Sequence, residues 1–429
     1  MRCINCESTD KWENVDQFRL KPEGMAICTG CGFVSYPSKW KSEEEIKKHY
    51  RSTYRNPPNA NNTYTGQRKL HFHNAFLQDV FELWKKSGKK NPKVFEVGAA
   101  YGVALAWMRD SGYPGSEVAG TELTTSYRRN AWHEFNIALS EDFDTSKKYD
   151  LIMSYKVAEH QLDVDRELRK YAEHLTDDGL LHISVPTWFD SMTNFGAAGF
   201  DLEYYYDPNH INVWQRDLFE GILRKSGLEI VKADHIIYDS TYLCKRNDSL
   251  MGEKAVNLSS EYIKSQMEKI HKAYLAFIDG NLDEAIRIYP NYPIAHINRA
   301  EMNRKALFDK GWDAIQAMIA TARKDCPEAV EIVILATDFA MRANKWEEAI
   351  ALAEEGLSKK PENPSSLNQL INIMREMALR ADAPEAKRHY FKQAREISRH
   401  LRQVSQQHYK EAMDYIMLFN AHLPMEGEV

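Results

Sequence analysis

The chain has 429 residues, 43% apolar and 28% charged, with 56 basic against 62 acidic side chains and a formal net charge of −6. That length holds two or three cores, and the charge balance excludes a global basic field that would draw the chain onto nucleic acid or an anionic membrane. No apolar run approaches the roughly 20 residues a bilayer span needs, and the opening MRCINCESTD lacks the apolar core of a secretory signal. A cytoplasmic protein, or part of a larger soluble assembly, is expected.

Four of the six cysteines crowd the start of the chain, as Cys3-x-x-Cys6 and Cys28-x-x-Cys31-Gly32. Paired knuckles at this spacing are the thiolate set of a zinc ribbon over residues 1–40. Two disulfides or four idle thiols are the alternatives. Four thiolates leave no open position on a metal, so such a zinc supplies folding energy rather than chemistry. Cys244 and Cys326 are isolated and read as ordinary buried thiols.

Residues 41–92 read as a helical linker or lid. KSEEEIKKHYRSTY has an acidic start and a basic end. NPPNANNTYTG, Asn56 to Gly66, breaks it, and KLHFHNAFLQDVFELWKKSG resumes an amphipathic helix up to Gly88. Over 93–250 the pattern changes to short apolar runs between amphipathic segments: KVFEV, EVAGTE, NIAL, YDLIMSY, LLHISVP and LEIVKADHIIY. Strands interleaved with helices predict a Rossmann-like α/β domain, a mostly parallel sheet flanked by helices. From 255 to 423 the sequence is helix-forming throughout. The step from Pro327 to Pro361 equals that from Trp312 to Trp346. It matches the tetratricopeptide period of about 34 residues, in which antiparallel helices come in pairs. A generic helical bundle is the alternative.

Ligands of an open parallel sheet sit at the carboxyl ends of its strands. In KVFEVGAAYGVAL the first strand runs into Gly98, Ala99, Ala100, Tyr101 and Gly102. The glycines suit a sharp turn and a close helix, whereas the two alanines narrow the approach a pyrophosphate needs. Glu96, just before the turn, repels phosphate and suits a cation. Glu122 ends the second strand, where an acid pairs with ribose hydroxyls. An acid for an ammonium, a small-residue turn and an acid for a ribose together describe S-adenosylmethionine.

The segments VFEVGAAYGVAL, TEL and YDLIMSYKVAEHQLDVDRELRKYAEHLTDDGLLHISVP resemble the class I S-adenosylmethionine-dependent methyltransferases. CTGCGFVSYPSKWKSEEEIKKHYRSTY and YYYDPNHINVWQRDLFEGILRKSGLEIV resemble the zinc-binding and late segments of sugar C-methyltransferases. The resemblance covers roughly residues 1–240 and implies S-adenosylmethionine as cofactor, zinc as a structural metal, and a small molecule or glycan as acceptor. It implies cofactor contacts from Glu96, Gly98, Ala99, Ala100, Gly102 and Glu122, with Glu141 or Asp142 at the adenine edge. Ala100 departs from the third glycine usual there. Tyr155 and Lys156 are placed at the end of the fourth strand, facing the transferred methyl. His160 and His210 are the candidate bases, although the Glu159–His160 pair also suits a purely loop-fixing role. Tyr101 either covers the cofactor or packs on the first helix. Trp188, Phe189, Phe195, Phe200 and Tyr204 to Tyr206 are expected in an aromatic lid or a small satellite core. The helical repeats admit a protein partner. A protein methyltransferase, or a structural component of a larger assembly such as a virus particle, is therefore the alternative function. No nucleic-acid methylation signature of the Asn-Pro-Pro-Tyr type is present.

Overall fold

A computed structural model of the chain describes residues 2–18, 24–36, 42–52, 76–187, 210–236, 239–253, 256–327, 329–359 and 364–404. The turn at Asn56–Gly66, the aromatic stretch 188–206 and the chain beyond 404 lie outside the described residues. Two units divide the chain after Gly280, one holding residues 1–70 and 76–280 and the other 71–75 and 281–429.

In the first unit the N-terminal cysteines gather three short strands, β1 (Trp12–Asn14), β2 (Ala26–Cys28) and β3 (Val34–Ser35). All pair antiparallel. The large sheet begins with β4 (Lys93–Val97), whose Val94, Phe95, Glu96 and Val97 are buried, as a strand covered on both faces requires. β5 (Glu117–Thr121), β6 (Leu139–Ser140), β7 (Tyr149–Tyr155) and β8 (Leu175–Pro186) follow, and these strands and β4 run parallel to one another. β9 (Asn212–Val213) leaves this sheet and joins the cysteine sheet beside β3. β10 (Leu228–Ile236) and β11 (Asp239–Arg246) close the large sheet as an antiparallel hairpin.

The strand order is β10-β11-β8-β7-β4-β5-β6. From β4 the chain winds outward through β5 and β6, then crosses back to β7 and β8. The direction of winding therefore reverses between β4 and β7, the place where such sheets hold ligands. This is a Rossmann-like α/β fold. The sequence pattern marked six strands, and the structure has seven in this sheet. LEIVKADHIIY contains β10, and the missed strand β11 runs through DSTYLCKR. Its Ser240, Thr241 and Tyr242 are buried although no long apolar run marks them.

Both faces of the sheet are packed. On one, Val94, Leu151, Met153 and Tyr155 meet Phe76, Leu77, Val80 and Trp84 of the helix at 76–87. On the other, Phe95, Ile152, Leu181 and Ile183 share a core with Trp214 and Phe219, and with Cys3, Cys28, Cys31 and Phe33. Among the described residues, the cysteine module thus shares part of its core with the large sheet. The helix Ser260–Ile278 is held to the same module: Asn5 Nδ2 donates to Val256 O at 2.8 Å, Leu258 N donates to Cys31 O at 3.1 Å, and Lys264 pairs with Glu13 at 2.9 Å.

The second unit is helical at every described element. The starts of helices Trp312–Asp325 and Trp346–Lys359 are separated by the same step as those of Val330–Arg342 and Pro364–Arg380. Trp312 and Trp346 both open the first helix of a pair. Indole Nε1 of Trp312 donates to Glu348 at 3.0 Å, and Arg380 lies over the Trp346 ring. Small residues let paired helices approach. A Cβ built on Gly356 would stand 2.6 Å from Ser366 Oγ and 3.4 Å from Ser366 Cβ.

Gly356→Val should overpack that contact and destabilise the helical unit by about 1–3 kcal/mol. Urea unfolding followed by circular dichroism should show an earlier midpoint for the helix-rich transition. An unchanged midpoint would mean that the helices separate there at no cost.

Candidate active site

The turn after β4 is built from left-handed backbone. Gly98, Ala100 and Gly102 have φ of 67°, 49° and 70°. Each glycine also meets a neighbour: a Cβ on Gly98 would lie 2.7 Å from Val157 Cγ2, and one on Gly102 would lie 3.3 Å from the Ala131 Cβ. Gly98 thereby brings the loop after β4 against the loop after β7, and Gly102 seats the helix Val103–Trp107 near the helix Thr125–Phe135. Ala100 occupies a glycine conformation without glycine's freedom. Ala99 N donates to Thr121 O at 2.8 Å, tying the turn to the end of β5.

Glu122 completes that tie. One carboxylate oxygen accepts from Ala100 N at 2.9 Å, and the other accepts from Thr124 N at 2.8 Å. The side chain therefore fixes both the β4 turn and the start of the next helix before any ligand arrives. Each oxygen retains a further lone pair for another donor. Glu96 is buried at the end of β4, and its charge contributes to raising the Tyr155 hydroxyl.

Tyr155 stands differently from its sequence expectation. Its hydroxyl is buried and paired with His182 Nδ1 at 2.8 Å, on the face covered by the helix at 76–87. Burial, followed by the Glu96 charge, holds its pKa well above the usual tyrosine value. Burial pushes His182 down to about 3, and Phe76 stacks on its ring at 5.1 Å. Lys156 follows with φ of 58°, a strained residue at the carboxyl end of β7.

Beyond it the turn Ala158–His160 carries a fully buried Glu159. The His160 ring lies 4.9 Å from that of His210 and 5.7 Å from that of Tyr50. Ligand-capable atoms of Glu159, His160 and His210 all fall within 4.8 Å of one another, and His160 Nε2 lies 4.0 Å from Glu159 Oε1. The two candidate bases, far apart in sequence, are brought together with a carboxylate beside them.

The acids proposed for an adenine edge are engaged by the helix Glu43–Ser52. Glu141 receives Arg51 at 2.7 Å and Arg128 at 2.7 Å, and hydrogen bonding from Arg51 holds its carboxyl below the usual range. Asp142, mostly exposed, pairs with Lys47 at 2.9 Å. Arg166 reaches Glu43 of the same helix. This helix therefore spans from the end of β6 to the turn after β7, and it delivers Tyr50 to His160. The Tyr101 ring lies 4.3 Å from that of Tyr127, on the helix Thr125–Phe135 rather than on the first helix.

The four cysteine sulfurs also converge. Cys3 and Cys31 Sγ are 3.5 Å apart, as are Cys6 and Cys28 Sγ, and all four lie within 4.8 Å. These separations exceed a disulfide bond and approach the edge of about 3.8 Å expected for a tetrahedron with zinc–sulfur bonds near 2.3 Å. The Cys31 thiol is pushed down to about 5, chiefly by the hydrogen bond from Cys3. The donor set fits zinc.

Sequence reasoning named neither Tyr50 nor Asn212 as a site residue. Asn212 Nδ2 donates to Ala158 O at 3.1 Å and Gln161 O at 2.7 Å, clamping the turn that carries Glu159 and His160. A polar residue two places after His210, in a strand of apolar neighbours, was its signal.

Residues 68–233 match the family model described as a methyltransferase domain. The segment covers β4 through most of β10, together with the sites at Gly98, Glu122, His160 and His210. The chain is a methyltransferase by virtue of that domain. Among solved structures, it is similar to an S-adenosylmethionine-dependent methyltransferase from Clostridium acetobutylicum ATCC 824. The identity is 12%, over 44% of this chain and 100% of that one, with a TM-score of 0.35. It is also similar to an O-methyltransferase family protein from Burkholderia thailandensis, at 17% identity over 50% of this chain and 69% of that one, with a TM-score of 0.36. No functional conclusion rests on either likeness. A search of curated proteins finds no match. No described helix is long and apolar enough to cross a membrane.

Ala100→Gly should relieve the left-handed alanine and stabilise the protein by about 0.5–1 kcal/mol, the difference between relieved strain and glycine's entropic cost. Gly98→Val should lose roughly 2 kcal/mol or more, because its branches meet Val157 and its φ disfavours a side chain. Thermal unfolding of the pair checks the sign at each position. The same sign for both would remove the turn as a source of strain.

Proposed function

We propose that the chain transfers a methyl group from S-adenosylmethionine to a small-molecule or glycan acceptor. The observation that carries this reading is the pair of turns at the β4–β7 reversal: a left-handed turn anchored on Glu122, facing a turn that carries Glu159 and His160 beside His210. S-adenosylmethionine, when bound, supplies an electrophilic methyl on a cationic sulfur. Glu96 suits its ammonium group. Glu122, already oriented by two amides, suits its ribose hydroxyls. The small side chains of Ala99 and Ala100 leave the turn open to it. His160 and His210, beside the Glu159 carboxylate, suit removal of a proton from the acceptor. Tyr50 packs edge-on against His160.

The cysteine set fits a structural zinc, which makes residues 1–40 a zinc ribbon. Residues 41–92 then act as the covering segment, 93–250 as the catalytic domain and 255–423 as a tetratricopeptide-like region. Such repeats suit a protein partner, and the regular recurrence of helix starts favours a second reading in which a polypeptide is recruited, as substrate or within a larger assembly. The charge and composition suit a cytoplasmic setting without a nucleic-acid partner.

Glu122→Ala should weaken S-adenosylmethionine binding tenfold to a few hundredfold, the loss of one or two charge-assisted hydrogen bonds at about 1.5–3 kcal/mol each. It should also lower stability by about 1–3 kcal/mol, since two amides lose their acceptor. His210→Ala and His160→Ala should leave cofactor affinity within about threefold and abolish turnover. Calorimetry with S-adenosylmethionine tests the binding arm. Transfer of labelled methyl from the cofactor to a panel of nucleotide sugars, against a peptide library, separates the two acceptor readings. Absence of cofactor binding by the wild-type chain would overturn the proposal.

Metal analysis of purified chain should return about one zinc per molecule. Cys28→Ser should lower both the zinc content and the melting temperature. Full stability in the chelated wild type would remove the metal from the account.

A further inference from the structure

We propose that the cysteine module positions the histidine pair of the acceptor site, with Ser35 and Asn212 as the positioning residues. This inference rests on the acceptor-site reading of His160 and His210 given above.

The link is continuous. β2 ends at Cys28, and the knuckle that follows is closed by Gly32 N donating to Cys28 O at 2.8 Å. From that knuckle Gly32 O accepts from Gln215 Nε2 at 3.0 Å. β3 pairs with β9 in a fixed register, Val34 opposite Val213 and Ser35 opposite Asn212. The carbonyl of Ile211 is held twice, by Ser35 Oγ at 2.7 Å and by Tyr36 N at 3.0 Å. His210 is the next residue back along the chain. Asn212 then reaches the other way and holds Ala158 O and Gln161 O, on either side of Glu159 and His160. One short strand therefore sets both imidazoles, and its own position is set from the cysteine side.

Attachment alone does not require this chemistry. Phe33 and Trp214, 5.2 Å apart within the shared core, already join the two parts by apolar burial. Ser35 and Asn212 are both essentially buried, and burying a hydroxyl and an amide is costly unless their hydrogen bonds are made. Ser35 Oγ and Asn212 Nδ2 make theirs, and directional bonds of this kind fix positions in a way that apolar contacts do not. Here the positions fixed are the backbone on either side of the candidate bases.

The test uses full-length protein labelled in its histidine rings, with the His160 and His210 resonances assigned from His160→Gln and His210→Gln spectra. Zinc-loaded protein is compared with chelator-stripped protein, and with Ser35→Ala and Asn212→Ala. Thr29→Ala, on the same module but outside the pairing, is the control. Both ring resonances should move on stripping, on Ser35→Ala and on Asn212→Ala, and neither should move in the control. S-adenosylmethionine affinity in the two positioning variants should stay within about threefold of wild type. Resonances that stay in place when Asn212 or Ser35 is changed would overturn the proposal, and those variants decide it if the stripped chain unfolds. Failure of wild-type chain to bind S-adenosylmethionine would instead strike the functional reading, while the ring resonances would still decide the coupling.

Discussion

The first unit depends on the pairing of β3 with β9. Each strand has only two residues, and β1 and β2 have three each. Sheets this small do not hold themselves in water. They persist because the cysteine cluster closes the hairpin from one side and the large core receives Phe33, Trp214 and Phe219 on the other. A separate module tethered by a linker would leave β9 without its partner strand. Shared burial joins the module to the large sheet, and the same strand that completes the small sheet carries the backbone away from His210.

The cofactor side rests on a different device. The turn after β4 is held in a left-handed conformation that an alanine occupies at a cost, and Glu122 offsets that cost by accepting the amide of that same alanine. Ala99 N and Gly98 N both turn towards Thr121, at the end of β5. The loops after β4, β5 and β7 are consequently tied to one another by backbone and short side-chain contacts. Pre-set geometry of this sort lowers the ordering cost of binding.

Much of this was legible in the sequence, for identifiable reasons. β4 and β7 are short, mostly apolar runs, as suits strands buried on both faces. The cysteine spacing specified its own cluster, and the landmarks Trp312 and Trp346 specified a period that the helix starts repeat. Partnerships between distant residues were not legible. Nothing local in DSTYLCKR distinguishes a buried strand from a polar turn, because its burial comes from β8 and β10 on either side. Tyr155 sits at the end of β7 as expected, yet strand alternation points its hydroxyl to the face covered by the helix at 76–87, where His182 receives it. The role of Asn212 depends on a turn 54 residues earlier in the chain. Sequence pattern locates groups along an element, whereas partners across the fold are set by topology.

Topology also decides the charge of the site. Glu96, Glu122 and Glu159 are all buried, and all lie at the carboxyl end of the large sheet. Carboxylates withdrawn from water are costly unless donors or cations meet them. Two backbone amides meet Glu122, and the histidine pair stands beside Glu159. The concentration of negative charge at one end of the sheet disfavours a pyrophosphate, whose own charges would be repelled there. It is consistent with the ammonium and sulfonium of the cofactor proposed above. A dinucleotide-binding turn of the same outline offers unobstructed amides to an anion; here the anionic groups belong to the protein, and a cationic ligand is the complement they call for.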